Sequence, residues 1–369
     1  MAGCVSIALY DESLDYDSTQ LFSGGINPAN LPLRKQNGRC EPIFPHQRLR
    51  VNTIFEIVHE HGGVTAYTDK HPVYDLVRGP SGEGLTVGYF PEIASVANTV
   101  DATISYDELH VQAWLDWLDG KTPDHSEGYL SSIPTLMGGN LQSLSVAQKT
   151  VGYNNDSTSS FSPAIIRAME FIDSALGSVK NKLKQKKLDQ DTLIVVASKH
   201  GQASIQRSLY QKVDPELIGN STGVPVAFQT SDDIALIFLN NSSDAATAAA
   251  NLAKNKSKCK IRSIIWGKNL TESGFGNPTQ DPAVPDIIVQ PELGVIYTKS
   301  TKKIAEHGGI SRDDRGVTCF LSSPRLSKKK IDTAVLTTQV GPTVLRALGL
   351  DPKSLEAVKR EKTKVLPGF

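Results

Sequence analysis

Three short clusters in this sequence combine side chains suited to phosphate chemistry: Asp69-Lys70-His71, Ser198-Lys199-His200-Gly201 and Glu306-His307-Gly308-Gly309. A neutral imidazole ligates zinc or moves a proton, a carboxylate holds a divalent cation, and a lysine brings a point charge to phosphate oxygens. Two histidines and an aspartate meeting at one sheet edge would suit metal-assisted hydrolysis of a phosphoric ester. Taken singly, each cluster has a plainer reading. Asp69-Lys70-His71-Pro72 reads equally as a turn with local hydrogen bonds, Lys199 equally as the partner of a nearby carboxylate, and a lone histidine at a strand end is usually a hydrogen-bonded structural residue. Gly79-Pro80-Ser81-Gly82 lacks the Gly-Lys-Ser/Thr ending of a phosphate-binding loop and reads as a surface turn. Trp114 and Trp117 stand at helical spacing and read as core.

The elements that must position these clusters follow from periodicity. Residues 10–50 are rich in Asp, Ser, Gly, Pro and Asn without a sustained period, which predicts an extended arm. Residues 51–369 are expected to form one α/β domain behind it. Helices are predicted over 53–61, over 106–118 with Leu109, Trp114, Leu115 and Leu118 on the apolar side, and over 340–348. Ser162-Pro163 is an N-cap followed by a proline at the first helical position, and it opens a helix with Ile165, Ile166, Met169, Ile172 and Leu176 on one face. Strands are predicted at 64–68, 133–137, 234–239, 287–289 and 317–321. The continuous apolar run 192–197 has the composition of a central parallel strand covered on both faces. Helices alternating with such strands predict a mostly parallel sheet sandwiched by helices. Ligands of open α/β sheets gather at the carboxyl ends of strands, where all three clusters stand close to a strand-like run.

Composition narrows the function classes. The 369 residues carry 39 basic and 39 acidic side chains, so no global field favours nucleic acid or an anionic membrane. The run of lysines in 180–187 reads as a solvated face. No apolar run reaches the length of a membrane span, and the apolar start over 1–9 is too short for a signal peptide. Six Asn-x-Ser/Thr sequons, at Asn155, Asn220, Asn240, Asn241, Asn255 and Asn269, would nevertheless be glycan acceptors in a secretory compartment. Localisation therefore stays open between secretion and an unaddressed chain. Cys4, Cys40, Cys259 and Cys319 show no zinc-ligand spacing and read as buried thiols or at most two disulfides.

Several motifs, in order, resemble the type I phosphodiesterase/nucleotide pyrophosphatase branch of the alkaline-phosphatase-like superfamily. The strand ending in Ser198-Lys199-His200-Gly201 is similar to one ending in Ser-Asp-His-Gly. Glu306-His307-Gly308-Gly309 is similar to the family's second His-Gly element, and Val284-Pro285-Asp286-Ile287-Ile288-Val289 to its Pro-Asp-Ile-Val strand. Residues 338–350 look like the closing helix, and Asn52-Thr53-Ile54-Phe55-Glu56 with Tyr67-Thr68-Asp69-Lys70-His71-Pro72 resembles a microbial and fungal subgroup.

The resemblance implies an alkaline-phosphatase-like α/β fold and hydrolysis of phosphoric esters of small molecules, with divalent metal, zinc in first place, held in part by His200 and His307. Lys199, His71, Lys70 and Asp69 are the accompanying catalytic candidates. Three departures qualify it. The family's first strand and nucleophile helix have no counterpart in this sequence, because Tyr10-Asp11-Glu12 resembles an interior segment and Asp11 is set aside as a ligand. Lys199 stands where an aspartate ligand is usual, which implies one metal or none. Residues 140–149 offer amides and hydroxyls where an Asp and a His four apart are common. The alternative function is a catalytically inactive or truncated family member acting as a binding or accessory protein.

Overall fold

The computed structural model describes residues 26–36, 39–93, 98–123 and 128–369. The expectations for residues 5–9, Asp11 and Cys4 lie outside the described residues. By contact density the chain divides into two compact units. One takes residues 1–143, 170–195 and 320–369, and the other 144–169 and 196–319.

The first unit is built on a three-stranded parallel sheet, Thr65–Thr68 lying between Val87–Tyr89 and Leu136–Gly139. Side chains alternate across the middle strand as the pleat requires. Ala66 packs with Trp117 and Ala113 of the helix Val100–Leu118, whereas Tyr67 faces Phe55 of the helix Ile54–Glu60 and Phe90. Helices thus cover both faces. Ile54–Glu60 starts at a capping box: Thr53 accepts from the Glu56 amide while Glu56 accepts from the Thr53 amide, so two otherwise orphaned donors are satisfied. The predicted strand 133–137 forms later, at Leu136–Gly139. Within the predicted arm a short antiparallel hairpin, Leu33–Gln36 with Arg39–Pro42, is flanked by buried Leu31 and Ile43. Cys40 is disulfide-bonded, while Cys259 and Cys319 are free thiols.

The helix Pro163–Gln185 starts at Ser162 as expected, but its buried stripe is Ile165, Ala168, Ala175, Val179 and Leu183. Ile166 and Met169 are exposed, because small alanines fit the covered face more closely than the larger side chains beside them. Lys182 and Lys186 of the basic run both pair with Asp119 at 2.8 Å, and these lysines hold its carboxyl down to about 2.

The second unit carries a four-stranded antiparallel sheet in the order Ile261–Trp266, Ile287–Pro291, Ala235–Leu239, Val226–Ser231. Ile287–Pro291 is buried at every position. Ile237, Leu239, Ile287 and Val289 pack with Ala248 and Leu252 of the helix Ala245–Lys254 on one face, and Ile288 with Ile234 and Leu270 on the other. Asp286 of the Val-Pro-Asp-Ile motif is structural here: its carboxylate accepts from the Leu239 amide at 2.7 Å at the strand end. A parallel pair, Gln211–Val213 with Val295–Tyr297, completes this unit, and Ile194–Ala197 pairs with Cys319–Ser322.

Two outcomes follow. Replacing Ile237, fully buried between sheet and helix, with alanine should cost about 2–5 kcal/mol in urea unfolding. His110 is fully buried, its Nδ1 is 2.6 Å from Thr68 Oγ1, and burial lowers its pKa from 6.5 to about 3. Between those values the unfolded chain binds a proton that the folded one does not, so stability is complete above the upper value and is lost as pH falls toward the lower. Thermal melts of His110→Gln should show a shallower loss over that acidic span than the parent; an unchanged slope would assign the loss to other groups.

Candidate active site

In the second unit the two His-Gly elements are stitched together by backbone. Ala203 and Glu306 form an isolated antiparallel bridge, each amide donating to the other's carbonyl at 2.8 and 2.7 Å. The Gly201 amide donates to the Asp314 carbonyl at 2.7 Å, and a Cβ on Gly201 would lie 1.9 Å from the Asp313 carbonyl oxygen, so only glycine fits. This register stacks the rings of His200 and His307, with centroids 3.7 Å apart and planes at 24°. The His200 Nδ1–H donates to the Gly201 carbonyl at 2.8 Å, which makes Nε2 the lone-pair nitrogen of the neutral ring. Lys199 is exposed beside it. Ser198 fixes the turn by donating from Oγ to the His200 carbonyl at 2.6 Å.

A buried acid pair supports the second element. Asp233 accepts from the Gly309 amide at 2.8 Å, and Asp314 accepts from Ser311 Oγ at 2.6 Å. Burial and then the Asp314 carboxyl beside it push the Asp233 carboxyl above the usual range. Two carboxyls held close in a dry place favour the protonated form of Asp233. Glu306, also buried, pairs with Lys149 at 3.0 Å and with Lys303, which neutralises the acid preceding His307.

His200 and His307 bring two imidazoles together, and zinc is usually held by three or four such ligands about 2.0–2.3 Å away. The neighbouring ammonium cannot coordinate a cation. Among the described residues no group of three or more His, Cys, Asp or Glu is arranged to hold an ion.

In the first unit all three parallel strands deliver polar residues at their carboxyl ends. Asp69, Lys70 and His71 follow the middle strand, Glu92 follows one neighbour, and Asn140 and Gln142 follow the other. Buried Asp69 accepts from Tyr67 Oη at 3.0 Å, Asn140 Nδ2 at 2.9 Å and the Lys70 amide at 2.8 Å. Lys70 Nζ donates to Gln142 Oε1 at 2.9 Å. His71 Nδ1 lies 2.8 and 2.9 Å from the two carboxylate oxygens of buried Glu92. A carboxylate on one imidazole nitrogen fixes the tautomer and orients the ring.

Glu92 and the amide pair were missed in the sequence. Glu92 is one acid in a Pro-Glu-Ile segment with no periodic signal, and only its position after the strand Val87–Tyr89 hints at it. Asp107 was missed as well: its carboxylate accepts from the Gln142 and Ser143 amides at 2.7–2.9 Å, at the start of the helix Ser143–Thr150. The Asp69 group stands in one unit and the His200–His307 pair in the other.

The chain is similar in fold to several solved proteins. Human ectonucleotide pyrophosphatase/phosphodiesterase 5 matches over 84% of this chain and 71% of its own, with 16% identity and a TM-score of 0.53. An inactive form of the murine counterpart, in complex with AMP, matches over 85% and 71% with 14% identity and a TM-score of 0.54. Phosphonoacetate hydrolase from Sinorhizobium meliloti, in complex with phosphonoacetate, matches over 83% and 81% with 14% identity and a TM-score of 0.50. No curated protein matches the sequence significantly. The fold is alkaline-phosphatase-like, with α/β architecture and a parallel sheet as expected. Residues 43–312 match the family model described as type I phosphodiesterase/nucleotide pyrophosphatase, and the chain belongs to that family.

Proposed function

We propose that this chain is a phosphoric ester hydrolase that meets the phosphate with side-chain cations and imidazoles. The observation that carries the reading is the stacked His200–His307 pair with Lys199 next to it in sequence. The lysine supplies a point charge for phosphate oxygens, and imidazole is a side chain suited to moving a proton. Small phosphorus oxyanions are the proposed substrates, in line with the AMP and phosphonoacetate bound by two proteins of similar fold.

In the first unit, taken by itself, His71 is proposed as an acid–base group, with Glu92 orienting it, Lys70 adding charge and Asp69 holding the Lys70 backbone and Asn140 in place. The family resemblance implies a divalent ion, zinc in first place, and elemental analysis of the purified protein tests for it. A secretory location fits the disulfide at Cys40 and the six sequons, since disulfides persist in oxidising compartments.

A second reading, binding of phosphate esters without turnover, is favoured by the same lysine, because an ammonium in place of a ligand removes a cation from the site.

Turnover of p-nitrophenyl phosphate, its diester and a thymidine diester, measured alongside AMP binding by calorimetry, separates the two. The hydrolase reading expects turnover that falls roughly 10²–10⁴-fold in His200→Ala and His307→Ala. AMP binding without turnover leaves the second reading, and neither result sinks both. Lys199→Asp should raise the zinc content found by elemental analysis and weaken phosphate binding; a parent protein already holding two ions per chain would refute the cationic site. Glu92→Gln should move the pH profile of kcat/KM while His71→Ala removes its limb; a change in melting temperature alone, with both profiles intact, would make the dyad purely structural.

A further inference from the structure

All six sequons fall in the second unit, none in the first, although the first is the larger by residue count. Five of the six flank the four-stranded antiparallel sheet. Asn220 ends the helix Pro215–Asn220, and lines one cavity of about 740 Å³ together with Val226 and Gln229 of the edge strand Val226–Ser231. Asn240 follows the strand Ala235–Leu239 directly, Asn241 caps the next turn, and Asn255 ends the helix Ala245–Lys254. Asn269 stands on the helix Lys268–Glu272, just after the other edge strand, Ile261–Trp266.

Their environments differ in ways that matter to a bulky substituent. Asn155, Asn220, Asn240, Asn241 and Asn269 are exposed. Asn269 is aimed outward by its neighbour: Leu270 is fully buried against Ile234 and Ile288, which leaves Asn269 and Thr271 on the solvent side. Asn241 uses Oδ1 to accept from the Ser243 amide, a bond that glycosylation at nitrogen would leave intact. Asn255 is half-buried, and its Nδ2 donates to the Asn251 carbonyl at 2.9 Å, so its nitrogen is already engaged in finishing a helix.

Among the described residues the outer strands of this sheet both carry exposed aromatic rings, Phe228 on one and Trp266 on the other, with Phe275 exposed nine residues after the latter. Edge strands with open hydrogen-bonding groups and apolar side chains template pairing between molecules unless something bulky or charged blocks them. Covalent glycans at Asn220 and Asn269 would stand beside the two edges and provide that block.

We propose that the second unit is N-glycosylated at Asn155, Asn220, Asn269 and one of Asn240 and Asn241, and that the glycans at Asn220 and Asn269 shield the two sheet edges. The inference rests on the secretory reading and is independent of phosphoric ester turnover. In the transfer, the asparagine amide nitrogen bonds to the anomeric carbon of an oligosaccharide carried on a polyprenyl diphosphate. The carbon–oxygen bond to the diphosphate breaks, the diphosphate leaves with the electron pair, and the amide gives up one proton to base. Asn240 and Asn241 are adjacent, so the bulk of one glycan excludes the second.

Translation of the chain behind a supplied secretory leader, with microsomes, makes the test independent of the protein's own address. Glycopeptide mass spectrometry, with enzymatic deglycosylation in heavy-oxygen water to mark occupied asparagines, should find Asn155, Asn220, Asn269 and one of the adjacent pair, with Asn255 unmodified. Absence of glycan on all six, or occupancy chiefly at Asn255, would overturn the assignment even if the native chain proves to be secreted. For the shielding role, the secreted parent is compared with N220Q/N269Q by light scattering on gentle heating. A rise of roughly two-fold or more in scattering, reproduced by enzymatic deglycosylation of the parent, is expected; equal scattering in all three preparations would reject shielding while leaving the modification sites standing.

Discussion

The His200–His307 pair depends on the absence of a side chain at Gly201. With a Cβ placed only 1.9 Å from the Asp313 carbonyl oxygen, any other residue would push the two chain segments apart and break the hydrogen bond that the Gly201 N–H donates to the Asp314 carbonyl. The Ala203–Glu306 bridge two residues on would go with it, and so would the register that lays one imidazole over the other. Gly309 plays the matching part on the opposite segment: a Cβ there would lie 2.7 and 2.9 Å from the carboxylates of Asp233 and Asp314. The His-Gly pairs of the sequence are therefore packing devices as much as chemical ones. Each glycine lets backbone and buried acid approach closely enough to fix its histidine.

That constraint explains why part of the site was legible in the sequence and part was not. His200-Gly201 and His307-Gly308-Gly309 stand out because a histidine at a strand end next to glycine is a local pattern, and the helices at 54–60 and 163–185 announce themselves, the first through its apolar spacing and the second through Ser162-Pro163. Nothing local announces Glu92, Asn140, Gln142 or Asp107. Each acts on a partner 21 to 72 positions away, and single polar residues on loops carry no period. The direction of the strands Ala235–Leu239 and Ile287–Pro291 was hidden for a related reason. A buried strand reads the same in either orientation, and only the pairing Ile287 to Ile237 makes the sheet antiparallel. The apolar stripe of the long helix was misjudged at Ile166 and Met169 because hydropathy ranks size above fit.

Electrostatically the two groups of candidate residues solve different problems. Around Asp69 the carboxylate accepts from neutral donors, and Tyr67 and Asn140 hold it still. Around Gly309 two acids are brought together with too few donors, and burial with the neighbouring Asp314 raises the pKa of Asp233. Family membership fixes the fold, whereas in the proposed site Lys199 would change the local charge by two positive units relative to the aspartate that the family resemblance implies there. Substrate preference in such a site should track the anion's charge more than its organic part.

Asp107 has a consequence of a different kind. Its carboxylate already occupies the amides of Gln142 and Ser143, the sort of helix start at which a free anion would otherwise settle. The protein carries a resident anion there, tethered and buried, with burial pushing its carboxyl up to about 6. Sulfate, vanadate or tungstate diffused into crystals will find that position taken, and an oxyanion inhibitor built to grip backbone amides would compete with a covalently attached ligand at very high effective concentration. Ligand design for this chain should therefore start from its lysines and imidazoles.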